Sequence, residues 1–190
     1  MAINWQRIEP WIKPYSKIKN PWKDKRLQNP EDTALFQNLM VTKNKGLSNQ
    51  EIAVYKKGFK VDFPEDFKEF HRKFRQDVYW HIGCWIILPF GETIRVTNAM
   101  GEIMVRDIVD DDSEYYWNSQ WLVFAEHIKK DDVMCLNLDY ETDLESENSI
   151  FSRLDEVFKF EYEDESGYVC PMKMGFGRWL EKWAIKLEKR

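Results

Sequence analysis

The chain has 190 residues, 43% hydrophobic and 15% aromatic, which is apolar material for one packed core and excludes wholesale disorder. The formal net charge of −5 is unevenly spread: residues 1–60 hold 12 basic and five acidic side chains, and residues 61–190 hold 16 basic and 28 acidic. The acid concentrates in residues 107–166, with 19 acidic against four basic, and such asymmetry speaks to partners rather than to fold.

The chain start carries Pro10, Pro14, Pro21 and Pro30 with Trp5, Trp11 and Trp22 between them. Prolines at that density interrupt helix and central strand alike. The expectation is an extended arm whose aromatics pack on the body, with a short helix near Glu31 to Met40. No apolar leader segment is read there, and the longest apolar run, Cys84 to Phe90, is too short to span a bilayer. Three cysteines without a CxxC pair suggest free thiols in a reducing cytoplasm.

Ser48 to Glu51 (SNQE) has the spacing of a capping box, followed by Ile52, Tyr55 and Phe59 at helical intervals and Gly58 as a stop. A second helix is predicted after Asp62, with Asp62 as its cap and Phe67, Phe70 and Phe74 as its apolar stripe. The middle reads as strands: Cys84–Leu88, Ile94–Thr97, Glu102–Ile108, Trp121–Ala125, Val133–Asp139 and Val157–Glu163. Phe176, Trp179, Leu180, Trp183, Ala184 and Leu187 then mark a closing amphipathic helix. Helices, then sheet, then helix describe an α+β domain with a mostly antiparallel central sheet, an N-terminal helix pair and a C-terminal helix.

Signatures of chemistry are sparse. No glycine-rich phosphate loop and no GxSxG elbow occur. His81 and Cys84 form only a lone HxxC pair, so no metal and no cofactor are expected. Glu126, Asp131, Asp132, Asp139, Glu141 and Asp143 could include an acid/base pair for a hydrolase, or be solvated turn residues. The arm mixes Lys13, Lys17, Lys19, Lys23, Lys25 and Arg26 with Trp11, Tyr15 and Trp22, a combination suited to nucleic acid. The acidic body opposes a polyanion, and the favoured reading is that the tryptophans anchor the arm. Asp107, Asp110, Asp111, Asp112 and Glu114 stand beside Tyr115, Tyr116 and Trp117. Together with Asp131, Asp132 and Asp139 they are the candidate surface for a basic protein partner.

Three stretches carry a resemblance. Gly46 to Phe74 resembles the opening helix pair of the SUKH superfamily, with Phe63, Pro64, Asp66, Phe67, Lys68 and Phe70 at its motif positions. Trp121 to Asp143 is similar to the family's central hairpin at Phe124, Ala125, Asp132, Leu136, Leu138 and Asp139. The closing FGRWLEKWAIKL is similar to its last helix at Phe176, Trp179 and Leu180. The arm before Gly46 has no counterpart, which divides the chain into an arm, 1–45, and a SUKH-like domain, 46–190.

The resemblance implies a non-catalytic binding protein. Bacterial members are immunity proteins that neutralise toxins, many of them nucleases, and fungal members regulate cell-wall synthesis and signalling. The expectation is a cytoplasmic immunity protein for a cognate basic toxin, a monomer or weak dimer without membrane or nucleic-acid partners. A regulatory scaffold and a hydrolase are the alternatives.

Overall fold

The computed structural model describes residues 3–15, 45–59, 61–107, 117–140, 144–145, 151–163 and 166–190, with backbone alone at 58–59, 102–107, 162–163 and 166–167. The described elements, in chain order, begin with α1 (Trp5–Ile8), a 3-10 turn (Glu9–Trp11) and β1 (Lys13–Pro14). Helices α2 (Asn49–Phe59) and α3 (Glu65–Lys73) follow, then strands β2 (Trp80–Ile82) and β3 (Trp85–Ile87). Helix α4 (Phe90–Asp107) leads into β4 (Trp121–His127), β5 (Val133–Asn137), β6 (Val157–Glu163) and β7 (Ser166–Pro171), and α5 (Phe176–Glu188) ends the chain. All seven strands form one sheet in sequence order, each antiparallel to the next. The α+β class and the antiparallel meander are as expected.

Two predicted strands are helix. Residues Ile94–Thr97 and 102–107 lie within α4, so a helix interrupts the sheet between β3 and β4. Alternation of Ile94 and Val96 with Arg95 and Thr97 suggested a strand. The buried set Phe90, Thr93, Ile94, Thr97 and Met100 has helical spacing, and only Glu92, Arg95 and Asn98 form a partly exposed stripe over residues 90–100. The predicted helix near Glu31 to Met40 lies outside the described residues.

The two faces of the sheet bury two apolar clusters. On one face Leu122, Phe124, Ala125, Met134, Leu136 and Val157 meet Ile52 and Tyr55 of α2, Phe67 and Phe70 of α3, and Phe176, Trp179 and Leu180 of α5. On the other, Trp121, Val123, Val133, Cys135, Phe158 and Phe160 meet Val96 and Met100 of α4. Helices thus cover both faces rather than one. A bulge at Phe124, where the β4–β5 register shifts between Val123 and Ala125, turns both Phe124 and Ala125 into the first cluster.

The arm begins inside the fold. Ile3, Ile8 and Ile12 are buried in the first cluster, and Trp5 packs on Phe70 and Phe74. The turn that follows is helical rather than extended, and β1 adds an edge strand through Lys13 and His81.

Helix ends are capped largely from a distance. The capping box at α2 forms as read: the Ser48 amide donates to Glu51 Oε2 at 2.7 Å and the Glu51 amide to Ser48 Oγ at 3.3 Å. Gly58 does not stop α2, which runs through Phe59. Asp62 does not cap α3; Pro64 holds that position, and Asp62 instead pairs with Lys56 at 2.8 Å. Asp66, in the first turn of α3, reaches across the fold to accept the Gly177 amide at the start of α5 at 2.7 Å. Gln76, just after α3, accepts the Phe90 amide at the start of α4 at 2.9 Å. Each supplies an acceptor to an amide that the helix itself leaves unpaired.

Candidate partner-binding site

The candidate acids are distributed by the topology. Strand β4 runs from Trp121 to His127, and β5 returns from Val133 to Asn137. Asp131 and Asp132 therefore sit in the turn at one end of this hairpin, and Asp139 emerges at the other. The strand rise separates Asp132 from Asp139 by roughly 23 Å. Asp107 closes the backbone of α4; Asp110, Asp111, Asp112, Glu114, Tyr115 and Tyr116 lie outside the described residues. The described carboxylates nominated for hydrolysis do not converge on one place, since Asp131 and Asp132 stand a hairpin length from Asp139.

Trp117 is a packing residue in part. Its ring meets Trp121 and Phe160 edge-on, each at 5.5 Å, and lies against Gly101 of α4, where an added Cβ would come within 3.3 Å. Next to it, Asn118 Nδ2 donates to Asp139 Oδ2 at 2.8 Å, and Asn118 Oδ1 accepts the Gln120 amide. These bonds fix the Asp139 carboxylate beside the entry to β4.

Tyr140 was not among the residues singled out, although it directly follows the Leu138–Asp139 pair. It is 42% exposed, and its hydroxyl donates to Asp155 Oδ1 at 2.8 Å and approaches the Asp62 carbonyl at 2.9 Å. Burial, and then the Asp155 carboxylate, hold the phenol well above its usual pKa. The Lys56 ammonium holds the Asp62 carboxyl below its usual range. Asp139, Tyr140, Asp155 and Asp62 thus share one end of the molecule, where Lys56 and Lys68 pair with the Asp62 carboxylate. Spacing could not show it, because Asp62 and Asp155 are 93 positions apart in the sequence.

The opposite hairpin turn is held by His127. Its Nδ1 accepts the amides of Lys129 at 3.2 Å and Lys130 at 3.1 Å, which requires that nitrogen to be unprotonated. Burial lowers the imidazole pKa, partly offset by Asp132. The turn therefore carries Lys129 and Lys130 next to Asp131 and Asp132, a mixed rather than a purely acidic surface.

Among the described residues, no group of three or more His, Cys, Asp or Glu is placed to hold a metal ion, and Cys84, Cys135 and Cys170 are free thiols. No described helix is long and apolar enough to cross a membrane.

A helix-covered, seven-stranded antiparallel meander makes this an α+β domain. The chain matches the SMI1 / KNR4 family (SUKH-1) over residues 46–182 and belongs to that family. Among curated proteins, no match was found. The family is of immunity and regulator type, generally non-catalytic, and its members act on protein partners.

Proposed function

We propose that the protein is a non-catalytic immunity protein that binds and neutralises a cognate bacterial toxin. The observation that carries this reading is membership of the SUKH-1 family across residues 46–182. The charge of residues 107–166 supports a basic partner, and a nuclease fits because it must hold phosphates. An acidic inhibitor of such an enzyme imitates its substrate and speeds docking. The interface in this reading is carried by Asp107, Asp110, Asp111, Asp112, Glu114, Tyr115, Tyr116 and Trp117, with Asp139, and Asp131 and Asp132 at its far margin. The protein acts in the cytoplasm as a monomer or weak dimer, with residues 1–45 as an arm appended to the domain.

The test begins with the neighbouring reading frame. A multidomain toxin encoded there, whose lethality is relieved by co-expression of this chain, supports immunity. Charge reversal of Asp110, Asp111 and Asp112 to Lys then slows association, more strongly at low salt. An association rate and salt dependence unchanged by the reversal would remove the acidic segment from the interface. Lack of protection against the neighbouring toxin would leave regulation, the other activity of the family, as the better reading.

A further inference from the structure

A second charged feature has the opposite sign. Between α5 and the two loops that precede it lies a cleft of about 380 Å³. Arg178 and Lys182 line it from the outer side of α5, Arg153 from the loop before β6, and Lys173 from the turn after β7. Met174 and Ile185 supply its apolar surface. Among the described residues its single acid is Glu181, which is engaged by Arg178. With Arg178 and Glu181 offsetting each other, three cations remain in excess among the described lining residues, in a chain whose net charge is −5.

The walls are built rather than incidental. Glu156 is fully buried, and its carboxylate ties both loops together. One oxygen accepts the Ser152 amide at 2.8 Å and the Ser152 hydroxyl at 2.9 Å; the other accepts the Lys173 amide at 2.6 Å. Lys173 is held in a left-handed conformation, φ 56°. A residue with a Cβ is strained there, where glycine would not be. The buried Glu156 carboxylate and the turn thus fix the Lys173 backbone at the cleft, whose lining carries three further cations.

We propose that this cleft binds a phosphate group, either as the free anion or as the head of a small phosphate ester. A phosphate dianion is compact and needs several cations around one point, and arginine forks match its oxygens. The volume lies at the small end of ligand clefts, roughly 300–1,000 Å³. No aromatic side chain lines it for base stacking, so the phosphate rather than a nucleobase is the recognised part. An acidic peptide would instead call for a stripe of cations along an extended groove. The proposal is independent of the acidic interface and of the toxin-binding reading.

Calorimetric titration of the full chain with inorganic phosphate, pyrophosphate, glycerol phosphate and a hexaglutamate peptide tests it. Saturable single-site binding of a phosphate probe is expected, roughly tenfold weaker in the double variant Arg178→Ala/Lys182→Ala and in Lys173→Ala. Arg178 is 61% exposed at its side chain, so the double variant should keep the wild-type melting temperature. Tighter binding of glycerol phosphate than of inorganic phosphate assigns the ester, and the reverse assigns the free anion. The proposal fails if no phosphate probe binds with a Kd below about 10 mM, an affinity weaker than about −3 kcal/mol. It also fails if the variants bind as well as the wild type, or if hexaglutamate binds more tightly than every phosphate.

Discussion

Asp66 shows how little a motif says about what its residues do. It stands in the stretch that resembles the SUKH helix pair, yet its carboxylate serves another helix, capping α5 from 111 positions away. Its other oxygen accepts the Phe67 amide at 2.8 Å. Asp66→Ala should cost about 1–2 kcal/mol in a denaturant melt, and Asp66→Asn should restore part of it. Substitution of an exposed acid such as Glu65 should cost far less. His71 is equally specific. It lies among Phe67, Phe70 and Phe90, with ring centroids 4.5, 5.2 and 4.9 Å away, and its Nδ1 faces Gln76 Oε1 at 3.3 Å. Because that oxygen already accepts an amide, the proton belongs on Nδ1. Burial pushes the His71 pKa down to about 3, whereas an unfolded histidine titrates near 6.5. The unfolded chain therefore takes up a proton that the folded protein refuses. Stability is complete above about pH 6.5 and falls as pH drops toward 3, by up to about 1.4 kcal/mol per unit from this group. Urea melts between pH 7 and 5 should show the slope, and the His71 ring signals should not titrate in that window.

At the scale of elements, the sequence was legible wherever one period dominated. Helices α2, α3 and α5 each present one apolar stripe, and the capping box at Ser48 is a local device that needs no partner elsewhere. Helix α4 was misread because over residues 90–100 it is buried on nearly all sides and rich in β-branched residues, which erases the polar face that distinguishes a helix. Strands β2 and β7 were missed for different reasons. The first has three residues, and the second contains Gly167 and Pro171, which only an edge position tolerates. The β2–β3 hairpin signal was present all the same, since Gly83, at φ 62°, opens a two-residue loop between those strands. The inward side of α4 also completes the sheet. Thr97 Oγ1 donates to the Thr93 carbonyl at 2.8 Å and accepts the Val123 amide at 2.9 Å, beyond the end of β3 and beside the bulge. Thr97→Val keeps the shape and removes the acceptor. It should cost about 1–3 kcal/mol, because the buried Val123 amide is left unpaired, and amide exchange at Val123 should accelerate most.

Over the whole molecule, charge arithmetic suggested an acidic candidate surface but not its place. Counting could not show that Asp131 and Asp132 stand at one end of a hairpin and Asp139 at the other. Nor could it show that Tyr140 and Asp155 join the latter, since register decides both. It also hid the basic cleft, whose four cations come from three separate segments and vanish in a net negative sum. The arm was half legible: Trp5 and Trp11 do pack, while Ile3, Ile8 and Ile12 form the buried seam. Deleting residues 1–15 should lower unfolding stability by several kcal/mol, at about 1.5–3 kcal/mol for each buried aliphatic side chain. The denaturant slope should fall with it, as less surface is exposed on unfolding. A deletion that left stability unchanged would show that the arm only rests on the domain.

The contact between α1 and α5 has a consequence for the order of events in folding. Arg7 makes a two-pronged bond to Glu188, at 3.0 and 2.8 Å, and α1 lies against the last helix of the chain. The surface that receives α1 is built by a helix 181 positions further along the sequence, so α1 docks only once α5 is in place. Until then Ile3, Ile8 and Ile12 lack the cover that the first cluster gives them. Docking of α1 is therefore a late step of folding, because it waits on the loop closure that brings Arg7 to Glu188.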